Sequence, residues 1–365
     1  IYDEKLAKTQ FLKQFEVLFN AKNSEALSLD ELPTAYDYIR LGHPLSCLVE
    51  WVIAHLNNTN PNNVISFSSK TASILSILRK NLFANKNTQI IYTGKLPDFF
   101  DAELLRRIYG YKFDLLKVEN TSAISKFNGS TIFISQKEDI FNFDLRSTID
   151  FSINIHALLG SILVVNGEHN ESYIPEIQHV RRRETIAMTP ANSLAALKFL
   201  IEPSSFDATK NKKETSKTLV LDSIKAITGT NTKALVGSSG LSIQYAILMG
   251  LIHDALENHK GKAIKIVVPP NCYGGTNDQA RRVAACIKNV EILDLPVDGE
   301  HDMVESIDLV LNKIANENGI PFIIAEIPTN PRVEVPNLKK LRDVLTEVRK
   351  SITGDIAIDP IFILD

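Results

Sequence analysis

The residues whose types and spacing could do chemistry lie in the second half of the chain. Ser238-Ser-Gly-Leu-Ser242 follows a short strand-like run, 233–236, and opens a helical pattern over 242–256 with apolar Ile243, Ala246, Ile247, Met249 and Ile252. A strand that turns through small residues into a helix leaves several backbone N–H groups converging where the helix dipole also favours negative charge. The turn therefore reads as a seat for a phosphate. Asn271-Cys-Tyr-Gly-Gly-Thr276 follows the next strand-like run, Glu326-Ile-Pro-Thr-Asn-Pro331 ends another, and Asp365 ends the last. In a parallel α/β sheet the carboxyl ends of the strands form the ligand crevice, so the four features are expected to converge on one edge.

The elements that must position them are those of an α/β protein. In the first half, residues 5–28 read as an amphipathic helix with Leu6, Phe11, Leu12, Phe15, Leu18 and Phe19 on one side. A second helix carries Leu48, Val49, Val52, Ile53 and Leu56. Apolar strand-like runs then alternate with helical stretches at 64–67, 89–92, 113–118, 130–135, 148–153 and 161–165, and a helix follows over 190–200. After a polar, lysine-rich segment, 204–217, strand-like runs recur at 234–236, 264–268, 290–295, 322–327 and 356–364. Helices are expected at 242–256, 279–287, 306–317 and 338–348. This alternation predicts a mainly parallel sheet flanked by helices on both faces.

The halves also correspond piece by piece. Ser66-Phe-Ser-Ser-Lys-Thr-Ala72 lies where Val236-Gly-Ser-Ser-Gly-Leu-Ser242 does, Ile91-Tyr-Thr-Gly94 matches Cys272-Tyr-Gly-Gly275, and Ile132-Phe-Ile-Ser135 matches Ile323-Ile-Ala-Glu326. An internal repeat of domain size is the reading: a first copy over 1–203, a linker over 204–217 and a second copy over 218–365.

Composition bounds the function. The chain has 365 residues, 44% of them hydrophobic, enough for an ordinary core. A net charge of −3 supplies no general basic field, so nucleic acid is not expected as a partner. Cys47, Cys272 and Cys286 are too few and too scattered for a disulfide framework or a zinc site, which points to a reducing compartment and no metal. No run approaches eighteen apolar residues and the N-terminus lacks a basic-then-apolar signal, so the expectation is a cytoplasmic protein without a membrane segment. The chain starts without Met and stops at Phe362-Ile-Leu-Asp365, inside a strand-like run. It is expected to be a piece of a longer polypeptide.

The order and chemistry of the second-half motifs resemble the fold-type I pyridoxal-phosphate enzymes. The likeness is to the Cys/Met-metabolism family of cystathionine synthases and lyases, methionine lyases and O-acetylhomoserine sulfhydrylases. It spans roughly residues 215–365, with Tyr-Gly-Gly-Thr and Pro-Thr-Asn-Pro as its most specific parts. It implies that pyridoxal 5'-phosphate is the cofactor and gives each position a role. Ser239, Gly240 and Leu241 form the phosphate turn, with the Gly240 and Leu241 amides holding the phosphate; the family usually has Met where Leu241 stands. Tyr273 stacks on the pyridine ring, Asn330 bonds the phenolic oxygen, and Glu326 supports that motif. Asp365 keeps the pyridine nitrogen protonated so that the ring draws charge from a substrate carbanion. Asp365 and Tyr273 are the catalytic candidates. The lysine that carries the cofactor in the family lies beyond this aspartate, outside the chain.

The first half departs from the family pattern. Lys70 replaces the turn glycine, Gln136-Lys-Glu-Asp139 replaces Pro-Thr-Asn-Pro, and 150–154 shows no lysine. Yet Tyr36-Asp-Tyr-Ile-Arg-Leu-Gly-His-Pro-Leu45 resembles the family segment whose tyrosine and arginine reach a neighbour's cofactor phosphate. Tyr38 and Arg40 carry that role here, and His43 stands where the family has Asn. The implied assembly is an internal pseudo-dimer in which the first copy lends Tyr38 and Arg40 to a site built by the second, with a further homodimer also open. The implied activity is β- or γ-elimination, or γ-replacement, on a cysteine- or homoserine-derived amino acid. The alternative is a non-catalytic relative retained as a binding or assembly partner.

Overall fold

The computed structural model describes residues 4–36, 38–202, 213–297, 302–330 and 332–365. The chain divides into two compact units, Ile1–Asp101 with Tyr111–Ser242, and Ala102–Gly110 with Ile243–Asp365. In chain order the first part runs α1 (Glu4–Asn20), α2 (Ala26–Asp30), α3 (Pro44–Leu56), β1 (Val64–Phe67), α4 (Ala72–Phe83) and β2 (Thr88–Thr93). It continues with α5 (Ala102–Arg107), β3 (Asp114–Val118), β4 (Ser130–Ser135), β5 (Phe151–His156), β6 (Gly160–Val165), α6 (Ile174–Glu184), α7 (Pro190–Ile201) and α8 (Lys213–Thr228). After these come α9 (Gly240–Asn258), β7 (Ile264–Val268), α10 (Gly274–Cys286), β8 (Val290–Asp294), α11 (Met303–Asn316), β9 (Ile320–Ala325), α12 (Leu338–Thr346) and β10 (Ile361–Leu364).

The first unit is built on a six-stranded sheet in the order β1-β6-β5-β4-β2-β3. The four strands β5-β4-β2-β3 run parallel, and β6 is antiparallel to both β5 and β1. Strands β1, β4, β5 and β6 are buried at every position, as strands covered on both faces must be. On one side Val49 and Ile53 of α3 pack with Met188, Ala196 of α7 and Val64, Ile162 and Val164 of the sheet.

The second unit holds a four-stranded, wholly parallel sheet in the order β10-β9-β7-β8. Strand alternation sends its residues to two cores. Ile264, Ile266 and Val268 of β7 meet Leu248 and Ile252 of α9 and Ala280 and Val283 of α10. Val267 of β7 and Ile323 of β9 meet Val304, Ile307, Leu311 and Ile314 of α11. The excursion 102–110 belongs here as well: Ile108 lies in the first of these cores, Tyr109 packs on Tyr245 with centroids 6.4 Å apart, and Arg107 pairs with Glu257. The second sheet repeats the connectivity of the parallel part of the first, since β8-β7-β9-β10 has the sequence-to-space order of β3-β2-β4-β5. Among the described residues no helix is long and apolar enough to cross a membrane.

Several sequence expectations are corrected. The single helix over 5–28 is two, α1 and α2, because Lys22 takes a left-handed φ of 53° after α1 and the Asn23 side chain accepts the Glu25 N–H before α2. The strand expected at 148–153 is β5, three residues later. Asp150 spends its carboxylate on the Thr131 N–H at 2.7 Å and the Asn170 amide at 2.9 Å, which fixes the turn that precedes the strand. The run 234–236 forms no strand. The matching run in the first half, β1, is held by β6, whereas no described strand pairs with 234–236, and Leu235 is left 71% exposed. The long strand at 356–364 shortens to β10, with Ile356 only bridging Lys350. The compact units part at Ser242–Ile243. Most of the segment expected as a linker, residues 204–212, lies outside the described residues, and its last five residues open α8.

One ionic cluster ties the first unit together. Glu50 of α3 is fully buried and its two oxygens are divided among four donors. Lys8 Nζ of α1 donates to Oε2 at 2.6 Å, while Arg181 Nη1 of α6 at 2.6 Å and the Ser66 N–H and hydroxyl of β1 at 2.9 and 2.8 Å all reach Oε1. Burial alone would raise the Glu50 carboxyl, but the charges of Lys8 and Arg181 and the bonds from Lys8 and Ser66 outweigh it and hold the group at about 2. The lowered value makes the ionised form the one that stabilises the fold. That stabilisation is complete above the ordinary carboxylate value of 4.5 and is lost as pH falls from there towards 2. Thermal unfolding of the wild-type chain is expected to weaken steeply across that window, and Glu50→Gln to flatten the acid limb. At neutral pH the same substitution strands two buried cations and is expected to cost about 3–5 kcal/mol in urea unfolding.

Candidate functional site

At the carboxyl edge of the second sheet, the chain leaves β7 through 269–273 and enters α10 at once. Tyr273 is its N-cap, and Gly274 and Gly275 fill the first two helical positions. Glycines there cost little, because the first-turn N–H groups have no intrahelical partners. The Tyr273 carbonyl accepts the Thr276 N–H at 2.9 Å, which aims the buried Thr276 hydroxyl across the edge. On the far side β10 pairs in parallel with β9, Leu364 against Ala325, and the Asp365 N–H continues the ladder to the Ala325 carbonyl at 2.9 Å. The side chains at the ends of the two strands therefore meet. Thr276 Oγ1 donates to Asp365 Oδ2 at 2.6 Å, a short bond of the kind a charged acceptor makes.

Glu326, one residue past β9, holds the loop that follows. Its Oε1 accepts the Tyr273 N–H at 2.9 Å, and the Asn330 backbone N–H also bonds the carboxylate. Its Oε2 is buried without a partner. Burial raises the Glu326 carboxyl, the Tyr273 N–H opposes the rise, and the nearby charge of Asp365 adds to it. The same surroundings push the Cys272 thiol up to about 12, through burial and then the two carboxylates, so Cys272 stays protonated and inert as a nucleophile. The edge is thus negative, with Asp365 exposed at its mouth and the Tyr273 ring 39% exposed beside it. Such an edge suits a flat cation with a protonated ring nitrogen.

Gln244 of α9 completes the group. Its amide oxygen is placed 3.2 Å from Thr276 Oγ1 and its Nε2 has no partner. A hydroxyl has one proton, and Thr276 gives it to Asp365, so the Gln244 amide is better turned over with its NH2 donating to Thr276. The relay then runs Gln244 to Thr276 to Asp365. Neither Thr276 nor Gln244 was singled out from sequence. Thr276 lies inside the Tyr-Gly-Gly-Thr motif, and Gln244 is a buried amide among apolar neighbours on one helix.

The remaining expected site residues lie in the first unit. Ser239 caps α9 in a reciprocal box: Ser242 N–H donates to Ser239 Oγ at 3.2 Å, and Ser239 N–H donates to Ser242 Oγ at 2.8 Å. That leaves the Gly240 amide unused by this box at the first helical position. A Cβ built on Gly240 would meet nothing within 4 Å, so no protein group explains the glycine and open space faces it. Leu241 is buried. In the other segment, the Arg40 guanidinium lies 4.8 Å over the Tyr38 ring and Arg182 lies 5.0 Å from the same ring, so Tyr38 is flanked by two cations. Gly42 is required there, because a Cβ would come within 2.5 Å of the Tyr36 ring. His43 is structural: it caps α3, accepting the Ser46 N–H at Nδ1 and bonding the Met188 carbonyl through Nε2 at 2.8 Å.

No family model matches the chain, and no curated protein matches it in sequence. Among solved structures it is similar to a candidate L-allo-threonine aldolase from Listeria monocytogenes, at 14% identity over 56% of this chain and 72% of that one, with a TM-score of 0.32. It is also similar to metB from Corynebacterium glutamicum, at 15% identity over 47% of this chain, with a TM-score of 0.32; the match spans 55% of that protein. A third is O-acetylhomoserine sulfhydrylase of Wolinella succinogenes, at 11% identity over 42% and 62% of the two chains, with a TM-score of 0.22. None of the three reaches a TM-score of 0.5, so the functional reading rests on the residues of the chain itself.

The relay has a direct consequence for stability. Thr276→Val keeps the volume and removes the hydroxyl, leaving Gln244 without its partner and Asp365 without its orienting bond. The expected cost is about 1–2 kcal/mol in urea unfolding, with an unchanged m-value.

Proposed function

We propose that the chain binds pyridoxal 5'-phosphate in a fold-type I manner and serves an enzyme of sulfur amino-acid metabolism. The observation that carries the reading is Asp365, held at the end of β10 by the Thr276 hydroxyl beside the exposed Tyr273 ring. The donor set fits the cofactor. Asp365 would hold the proton on the pyridine nitrogen, Tyr273 would offer a flat apolar face, and Asn330 would bond the phenolic oxygen. Ser239 and the Gly240 and Leu241 amides would receive the phosphate, with Arg40 and Tyr38 adding charge and a hydroxyl donor. When bound, the cofactor supplies an electron sink for charge developing at a substrate α-carbon. Within the chain, Gln244 and Thr276 keep the Asp365 side chain aimed, and Glu326 fixes the Tyr273 and Asn330 backbones. The reaction proposed is elimination or γ-replacement on a cysteine- or homoserine-derived amino acid.

The two-copy reading gains support from register. If 132–135 corresponds to 323–326, then the register partner of Ser135, which is Asn154, stands where Asp365 pairs beside Glu326. Asn154 is buried and spends its amide on its own loop, accepting the Lys137 N–H at 2.9 Å and donating to the Asp139 carbonyl at 3.0 Å. The first copy would thus have a neutral clamp in place of the ring-nitrogen carboxylate. Its turn is closed in the same spirit, since Ser69 Oγ accepts the Thr71 and Ala72 N–H groups at 3.2 and 3.1 Å. One cofactor for the whole chain is the consequence, and this worn first copy is also what favours a non-catalytic relative as the second reading.

Equilibrium titration of the purified chain with pyridoxal 5'-phosphate, followed by cofactor absorbance, tests the proposal. Saturable binding is expected, weakened about tenfold or more in both Asp365→Asn and Arg40→Ala, as charge-assisted contacts imply. Absence of binding sinks the cofactor reading. Loss in Asp365→Asn with full affinity in Arg40→Ala would remove only the phosphate arm.

A further inference from the structure

The first unit contains a cavity of about 390 Å³ that has no place in the site above. Its walls come from α1, the segment 36–41 before α3, the turn before β1 and α6, and include Lys8, Tyr36, Asn62, Gln178 and Arg182. Because β1 runs in the direction of the parallel strands of its sheet, residues 60–63 lie at the amino edge. The crevice that serves ligands in such sheets is at the opposite, carboxyl edge. The cavity's 60–63 side thus lies away from that edge, although Arg182 on its wall also flanks the Tyr38 ring.

Charge gives it a purpose. Lys8 and Arg181 are 2% and 0% exposed and share a single carboxylate, Glu50, so the buried cluster carries one positive charge in excess. An uncompensated buried cation is costly unless an anion approaches it. Lys8 Nζ donates to Glu50 Oε2 at 2.6 Å and to the Pro61 carbonyl at 2.8 Å, which leaves the third ammonium proton for the cavity it lines. Arg182 and His179 also line the wall, and among the described lining residues Glu171, which is exposed, is the one carboxylate. Burial keeps the Tyr36 phenol protonated, hence a donor. Gln178 Oε1 is a buried acceptor without a partner, calling for an N–H or O–H on the occupant. The volume falls in the range of pockets for small metabolites rather than simple ions.

We infer that this cavity is a binding site for a small organic anion, a carboxylate or phosphate ester that also carries a hydrogen-bond donor. The inference does not rest on the cofactor reading. Isothermal titration of the full chain with citrate and with adenosine 5'-monophosphate separates the two anion chemistries, and adenosine serves as the uncharged control. At least one anion is expected to give saturable heat while adenosine gives none. Asn62→Trp, which fills the mouth from an exposed position, and Gln178→Leu, which removes the acceptor, are each expected to weaken that binding about tenfold or more with folding intact by thermal melting. Heat from neither anion at millimolar concentration overturns the inference, as does equal binding of adenosine. Unchanged affinity in Asn62→Trp also overturns it, because the anion would then sit elsewhere, the 238–242 turn included.

Discussion

Four elements of the first unit meet at one carboxylate. Glu50 comes from α3, and its donors come from α1, β1 and α6, elements far apart in sequence. Each pair taken singly would cost more in lost hydration than it returns, since a buried ion is favourable only when its partners are complete. Here they are complete on the carboxylate side. The consequence is orientational: no one of the four elements can shift without leaving a charge or a strand-edge donor unsatisfied. The segment bearing Tyr38 and Arg40 leads directly into α3, and Ala187, just past α6, donates to the Arg40 carbonyl at 2.8 Å. The Tyr38 and Arg40 side chains are in this way mounted on the most tightly specified part of the unit.

The second unit solves a different problem. The edge proposed to hold the ligand would have to stay open, so its polar groups could not all be consumed by the protein. Parallel pairing of β9 and β10 puts two carboxylates, Glu326 and Asp365, side by side at the strand ends, and the fold assigns them different work. Glu326 is turned inward onto backbone N–H groups. Asp365 is left at the surface with one side-chain bond. Environment alone divides the roles, since the chemistry of the two groups is the same.

Much of this was legible from residue order, and the failures share a cause. Fully buried strands such as β6 and β7 announce themselves through runs of Ile, Leu and Val, because both of their faces are covered. The Tyr273 and Asp365 positions were legible because motif and strand end coincide. What sequence could not show is partnership. Residues 234–236 have the composition of a strand, yet a strand exists only with a neighbour to bond. Residue Ile149 is buried and apolar but lies in a turn, since Asp150 fixes the chain before β5 begins. The Thr276 and Gln244 relay was invisible because it joins three elements, and no local spacing records a contact over 89 residues.

The excursion 102–110 gives the second unit a core that is not contiguous in the gene. Ile108 and Tyr109 are encoded between β2 and β3, yet they pack with α9. Cutting the polypeptide at any single peptide bond between the halves would orphan these residues from the hydrophobic cluster they complete. The halves of such a chain cannot be exchanged as modules, and whatever evolutionary or laboratory shuffling acts on it must carry this short loop along with a partner more than a hundred residues downstream.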